Sequence, residues 1–189
     1  YIRHTSDSLI LPVLHYYTEK KDEHHLPEAY YYAGRVYRDL EDAPLALDYF
    51  QKAIDALPDN KGYRLKSKIY SQMGTLFLYQ KTYDEALKIL KEARKCNIAL
   101  KDSASMVFNL RDIANGYRCL DQNDSSLYYL RKAYYIAKVL RNYDLMAMVQ
   151  SQMASLYIEL EKYDLARKFL QPSLDSLDIP SRSGIFSMA

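Results

Sequence analysis

Small residues recur at intervals of 40 positions and limit what this chain can fold into. They are Gly34, Gly74, Ala114 and Ala154. A large aromatic residue follows each of them three positions later, and a second small residue follows twelve positions later. Residues three or four positions apart share one face of an α-helix. The recurrence therefore predicts pairs of helices that approach closely through their small residues.

The same units match at further positions in their second halves. A large apolar residue lies four positions after the second small residue, and another small residue follows three positions later. The packing positions are Gly34, Tyr37, Ala46, Ala53, Gly74, Phe77, Ala86, Ala93, Ala114, Tyr117, Ala133, Ala154, Tyr157 and Ala166. A single unit cannot bury such a face, whereas stacked units bury a continuous core. No segment alternates like a β-strand, so we expect an all-α chain, an α-solenoid of antiparallel helix hairpins.

Residues 27–180 resemble the tetratricopeptide repeat (TPR) family. The first unit carries the family pattern at Tyr30, Ala33, Gly34, Tyr37, Ala46, Phe50, Ala53 and Pro58. The second carries it at Tyr70, Met73, Gly74, Phe77, Ala86, Leu90 and Ala93. The later units depart from it, since Leu110 and Gln150 replace the tryptophan and only the first unit keeps its proline. The resemblance implies a right-handed superhelix with a concave groove.

The period also predicts how the chain is divided. We expect four repeats at about 27–62, 63–102, 103–142 and 143–180. Residues 1–26 are interpreted as the second helix of a preceding partial repeat, with Leu9, Leu14 and Tyr17 near one face, and 181–189 as the start of a truncated fifth. The chain is therefore expected to be a fragment of a longer protein. A period of 40 exceeds the ~34 residues of a standard TPR, which predicts longer hairpins.

Short polar residues predict where the second helices begin. Asp42, Thr82 and Asn123 lie near those starts, and acidic residues follow in the first turn at 84, 124 and 164. Thr82 with Glu85 has the spacing of a capping box, in which the two side chains bind each other's backbone N–H groups.

Composition excludes several partners for this segment. The formal net charge is only +2, and Lys and Arg are interspersed with Asp and Glu, so we expect no binding to nucleic acid. No stretch approaches the ~18 apolar residues of a membrane helix. Cys96 and Cys119 are the two cysteines, and we favour free thiols over a disulfide between them.

Motifs of enzyme chemistry do not occur in the sequence. There is no glycine-rich phosphate loop, nucleophile elbow, H-E-x-x-H or C-x-x-C. The four histidines are His4, His15, His24 and His25, and their spacing does not suit a metal site. We therefore expect a protein that is not an enzyme and that has no cofactor and no metal.

The TPR resemblance implies which side chains line the groove. By position they are Glu28, Tyr31, Arg35, Arg38, Lys68, Ser71, Thr75, Leu78, Phe108, Arg111, Asn115, Arg118, Met148, Ser151, Ser155 and Ile158. The ten favoured as ligand-binding residues are Tyr31, Arg35, Arg38, Ser71, Thr75, Arg111, Asn115, Arg118, Ser151 and Ser155. Of the tyrosines, Tyr31, with Tyr32 and Tyr79, is expected to present a ring to the groove.

Arginines are the charged hydrogen-bond donors expected in this groove. Arg111 with Asn115 resembles the Lys/Asn pair with which some TPR domains hold a peptide terminus. An alternative is that Arg38 and Arg111 belong to surface ion networks with the adjacent Asp39 and Asp112.

Three classes of function remain open at this point. The leading hypothesis is a non-enzymatic scaffold that binds a protein or peptide in the concave groove. The alternatives are a structural spacer or self-association module and a receptor for a glycan or small molecule. Residues 29–47 and 110–114 also look similar to bacterial TPR regulators, in which a TPR stalk precedes a membrane helix. That likeness implies a sensory region at the periplasmic side of the cell envelope, with a cytoplasmic location as the alternative.

Overall fold

The chain folds into a succession of α-helices joined by short turns. A computed structural model describes residues 3–58 and 62–177, with side chains as far as residue 171. Over those residues the structure contains helices and no β-strand. In chain order the helices are α1 (Ile10–Glu19), α2 (Leu26–Asp39), α3 (Ala43–Asp55), α4 (Tyr63–Tyr79), α5 (Tyr83–Leu100), α6 (Ser103–Cys119), α7 (Asn123–Val139), α8 (Tyr143–Glu159) and α9 (Tyr163–Leu177). The predicted all-α fold is confirmed.

Contacts between helices are confined to near neighbours in the sequence. Each helix packs against the next one, and the even-numbered helices α2, α4, α6 and α8 also contact one another in turn. Among the described residues, α3, α5, α7 and α9 make no comparable contact with each other. The even-numbered helices therefore lie together on the inner side of a curved stack, and the odd-numbered helices are splayed on the outer side.

The small residues let paired helices approach closely, as their spacing predicts. Gly34 lies against the ring of Phe50, where an added Cβ atom would come within 2.5 Å of the ring. Gly74 lies against Leu90 in the same way, also at 2.5 Å. Ala46, Ala53, Ala86, Ala93 and Ala133 are fully buried, and Ala114, Ala154 and Ala166 are nearly so. Backbones in contact through glycine and alanine leave no space for a larger side chain.

Seven connections between helices, all within residues 3–58 and 62–177, share one geometry. In each, a non-glycine residue takes positive φ just after the helix, and these residues are Lys21, Glu41, Lys81, Lys101, Asp121, Arg141 and Glu161. The N–H of the following residue donates to a carbonyl five positions back, as Asp42 does to Tyr37 at 3.0 Å. This is the Schellman motif, which usually places glycine in the left-handed position. The 40-residue repeat is therefore built from two turns of the same kind.

Helix N-termini depend on side chains at only some of these turns. The carboxylates of Asp42 and Asp102 and the amide oxygen of Asn142 accept from the backbone N–H three residues later, at 3.0 Å in each case. Thr82 occupies the same position but makes no cap, because its hydroxyl donates to the Phe77 carbonyl at 3.2 Å. The predicted capping box of Thr82 and Glu85 is therefore wrong.

The first helix is shorter than the sequence predicts. Leu14 is buried and Tyr17 packs beside it, but Leu9 is 85% exposed and lies before the helix, so its expected place on the buried face is wrong. The predicted fifth repeat at 181–189 lies outside the described residues. We keep the division into four repeats as a proposal, which the starts of α4, α6 and α8 at 63, 103 and 143 support.

Candidate functional site

The candidate groove is the inner wall formed by α2, α4, α6 and α8. All ten favoured residues lie on these four helices. Ser151 is exposed, Tyr31 is buried, and the other eight are half-buried. A half-buried polar side chain is held in place by its neighbours while part of it stays in contact with solvent, which suits it to binding.

Tyr31 does not present its ring to the groove, so that expectation is wrong. It is 7% exposed, and its ring packs against Phe50 with 6.1 Å between the ring centroids. Burial raises the pKa of its hydroxyl. The neighbouring Tyr32 is 48% exposed, and the Arg35 guanidinium lies 5.7 Å from the centre of its ring. Tyr32, together with the exposed Tyr79, is therefore the aromatic surface available on this part of the chain.

Arg38 and Arg111 are held by local partners. Arg38 donates to the Asp39 carboxylate and to the side-chain oxygen of Gln72 on the next inner helix. These contacts have the geometry of the alternative ion-pair interpretation. They also join neighbouring inner helices, which that interpretation did not include.

Arg111, in the third repeat, also pairs with the adjacent aspartate and contacts the next inner helix. Its guanidinium donates to Asp112 at 2.7 and 2.9 Å and to the Met148 sulfur at 3.2 Å, and it lies 5.4 Å from the centre of the Phe108 ring. Burial raises the pKa of the Asp112 carboxyl, and Arg111 opposes that shift. Arg111 thus compensates a desolvated carboxylate, so its removal would disturb the fold as well as the groove.

Asn115 is oriented by Arg118. The Arg118 guanidinium donates to the Asn115 side-chain oxygen at 2.8 Å and to Glu159 on α8 at 3.0 Å. Within the described residues, the amide nitrogen of Asn115 makes no hydrogen bond. The amide oxygen is fixed, so the nitrogen keeps two N–H donors in a defined direction. The partner of Asn115 is Arg118, whereas the resemblance pairs it with Arg111.

The other favoured groove residues carry small hydroxyls, and they are Ser71, Thr75, Ser151 and Ser155. Thr75 donates to the Ser71 carbonyl of its own helix at 2.9 Å, so its hydroxyl proton is already used. Ser151 and Ser155 lie on α8, and Phe108 on α6 and Ile158 on α8 add exposed apolar surface. The stretch from Phe108 to Arg118 on α6, with its neighbours on α8, therefore combines apolar surface with an oriented donor. We call Phe108, Arg111, Asn115 and Arg118 the α6 cluster.

Other chemistry is limited over residues 3–58 and 62–177. No group of three or more His, Cys, Asp or Glu side chains in these ranges is arranged to hold a metal ion. Cys96 is buried, Cys119 is exposed, and both are free thiols. Burial raises the pKa of Cys96, which disfavours its reactive thiolate. No helix in this part of the chain is long and apolar enough to cross a bilayer.

One contact at the end of the groove was not predicted. Arg3 donates to the Asp39 carbonyl at 2.6 Å and to Glu41 at 2.8 Å, and His4 lies 2.7 Å from the buried Asp39 carboxylate. The segment before α1 is thereby held against the end of α2. Nothing in the sequence pattern indicates this contact, since it joins residues 35 to 38 positions apart.

The comparisons with known proteins agree with this architecture. Residues 27–60 match the family model described as Tetratricopeptide repeat. No curated protein matches the chain in sequence. BtubC (BKLC) from P. vanneervenii has a similar structure, with a TM-score of 0.78 and 15% identity over 89% of this chain and 70% of its own. The TPR-like repeats of a putative kinesin light chain from Podosopora anserina superpose with a TM-score of 0.75 at 14% identity, over 87% of this chain and 82% of theirs.

A longer protein shares the fold as well. Aspartyl phosphate phosphatase F from Bacillus subtilis superposes with a TM-score of 0.71 at 19% identity over 81% of this chain. The present chain spans 41% of the length of that phosphatase. These likenesses show the fold, a TPR-like α-solenoid, and the predicted solenoid is confirmed.

Proposed function

We propose that this solenoid is a non-enzymatic scaffold whose inner wall binds an extended segment of another protein, with the α6 cluster at the centre of the contact. An extended peptide offers backbone carbonyls at regular intervals, and recognition requires donors directed at them. The Asn115 amide is such a donor. Phe108 and Ile158 supply apolar surface for side chains of the bound segment.

The orientation of Asn115 is the observation that carries the proposal. A free asparagine side chain loses rotamer freedom when it binds, and that loss subtracts from the affinity. Here Arg118 fixes the Asn115 oxygen before any ligand arrives. The donor is therefore preorganised, and Glu159 in turn holds Arg118.

A regulatory role in a longer bacterial protein is the finer part of the proposal. The likeness of residues 29–47 to bacterial TPR regulators supports it. The chain shares its fold with a phosphatase and spans 41% of the length of that protein. This is compatible with a solenoid that forms one part of a larger protein. In that setting, occupancy of the inner wall is the signal that the rest of the protein reports.

A random-peptide selection on the purified chain tests the binding proposal. Peptides enriched by display are synthesised, and their dissociation constants for the wild type and for Asn115→Ala are measured by fluorescence polarisation. We expect Asn115→Ala to weaken binding about tenfold, the effect of losing about 1.4 kcal/mol of oriented hydrogen bonding.

Asn123→Ala is the matched control, because Asn123 is half-buried at the start of the outer helix α7 and its side chain makes no cap. Its affinity should equal that of the wild type, and both variants should keep the wild-type melting temperature. Equal affinity of Asn115→Ala and wild type for every selected peptide would exclude the α6 cluster as the site.

A further inference from the structure

The outer surface holds a second groove, which the TPR pattern does not predict. Because α5 and α7 do not contact each other, a gap opens between them with α6 as its floor. Met106, Leu110 and Ile136 form the apolar floor and side, and the cavity measures about 470 Å³. We call it the α5–α7 groove. Its volume falls within the range of natural ligand sites, ~300–1,000 Å³.

The charged side chains that line the α5–α7 groove are all cationic. Arg94, Arg131 and Lys132 line it, and no carboxylate does. Among the described residues none of these three forms an ion pair. Arg94 also has a buried Nε atom without a hydrogen-bond partner there. Leaving such a donor unsatisfied is costly, and a carboxylate bound to the Arg94 guanidinium would offset part of that cost.

Two exposed tyrosines stand beside these cations. Tyr128 is 52% and Tyr135 is 68% exposed, and the Lys132 ammonium lies 4.4 Å from the centre of the Tyr128 ring. A hydrogen bond from Lys132 and the charge of Lys132 and Arg94 lower the pKa of the Tyr128 hydroxyl. Three cations thus lie near one aromatic and apolar surface.

The tyrosines are particular to this repeat. In the other units the residues that correspond to Tyr128 are Asp48, Lys88 and Lys168. Those that correspond to Tyr135 include Asp55 and Lys95. The outer faces of α3 and α5 therefore carry charge where α7 carries aromatic rings. A large exposed aromatic surface is typical of an interaction site.

We propose that the α5–α7 groove binds an acidic segment of a partner protein that presents an aromatic side chain. The ring of the partner lies on Met106, Leu110 and Ile136 between the two tyrosines, and its flanking carboxylates meet Arg94, Arg131 and Lys132. The shallow, open form of the groove suits an extended segment. This surface is separate from the inner wall, so the two proposals stand independently.

A labelled ten-residue peptide of Asp and Glu around one central Trp tests this assignment by fluorescence polarisation. We expect saturable binding to the wild type that weakens as salt is added. The double charge reversal Arg131→Glu with Lys132→Glu should weaken binding at least tenfold, and Tyr135→Ala several-fold. All three residues are exposed, so the variants should keep the wild-type melting temperature.

The matched control is the double charge reversal Arg167→Glu with Lys168→Glu, at two adjacent exposed residues of α9. It changes the net charge by the same amount. It should bind within twofold of the wild type, as should Asn115→Ala, and a peptide with Ala in place of Trp should bind more weakly. Equal losses from the two charge reversals, or no saturable binding, would overturn the proposal. It would also be overturned if sedimentation showed wild-type dimers that Tyr135→Ala abolishes, because the groove would then bind a second copy.

Discussion

The contact of Gly34 with Phe50 shows how closely single residues determine the spacing of paired helices. The later units place Ala114 and Ala154 at the glycine position, and Leu130 and Leu170 at the phenylalanine position. Each pair thus sets one small residue against one large residue, and the second unit pairs Gly74 with Leu90. In the first, third and fourth units the larger of the two small residues accompanies the smaller of the two large ones, which keeps the filled volume similar.

Replacing Gly34 by Ala should therefore destabilise the fold, although alanine is the better helix former by about 1 kcal/mol. The added Cβ meets the Phe50 ring at 2.5 Å, and we expect a net loss of about 1–3 kcal/mol in chemical denaturation. Gly34→Ala combined with Phe50→Leu, the pairing of the later units, should recover part of the loss. A double variant whose loss equals the sum of the two single losses would contradict this coupling.

The packing residues could be predicted from the sequence because their spacing follows the helix period. The alignment of Asn115 by Arg118 could not, since it depends on which rotamers two side chains three positions apart adopt. The burial of Tyr31 was missed for a related reason. The position of a residue in a repeat indicates the helix face on which it lies. How deeply Tyr31 is buried also depends on its contact with Phe50 of the neighbouring helix.

At the scale of elements, the turns carry the regularity of the chain. Left-handed residues recur at 20-residue intervals, for example at Lys81, Lys101 and Asp121. The sequence does not reveal these turns, because their left-handed positions carry no glycine. In most connections the left-handed residue that ends one helix is followed directly by the N-cap residue of the next. The N-cap side chain therefore has a large effect on the stability of that next helix.

Thr82→Asp should stabilise the chain by about 0.5–1 kcal/mol. Thr82 has φ −91° and ψ 72°, close to the −89° and 79° of Asp42, which caps its helix. A carboxylate at 82 would accept from the N-terminal N–H groups of α5 and would interact favourably with the helix dipole. Thermal and urea unfolding measure the gain. Thr82→Ala is the control, with little expected change, and equal stability of the two variants would refute the cap.

At the scale of the whole molecule, the stack is close to one-dimensional. In the part of the chain that the structure describes, helices contact only the next helix or the next but one, so stability is approximately a sum of local terms. The same arrangement produces two unlike surfaces. The inner wall follows from contacts among α2, α4, α6 and α8, and the outer grooves follow from the separation of the odd-numbered helices. The α5–α7 groove could not be predicted from the repeat pattern because it depends on how far those helices are splayed.

Because stability is a sum of local terms, a destabilising substitution should lower the hydrogen-exchange protection of nearby helices only. In Gly34→Ala, hydrogen exchange followed by mass spectrometry should show faster exchange in α1 to α3, while α6 to α8 keep their wild-type protection. Gly74→Ala is the comparison, and it should move the region of faster exchange to α4 and α5. Uniform loss of protection along the whole chain in either variant would show that the solenoid unfolds as a single unit.

In the proposed complex, the Asn115 amide, held by Arg118, donates to a bound peptide. NMR of the side-chain amide groups measures this directly in the wild-type chain, with assignments taken from Asn115→Ala. On addition of a selected peptide, we expect the Asn115 NH₂ resonances to move downfield and their exchange with water to slow. Unchanged Asn115 resonances at saturating peptide, with shifts elsewhere on the chain, would exclude this hydrogen bond and place the peptide at another surface.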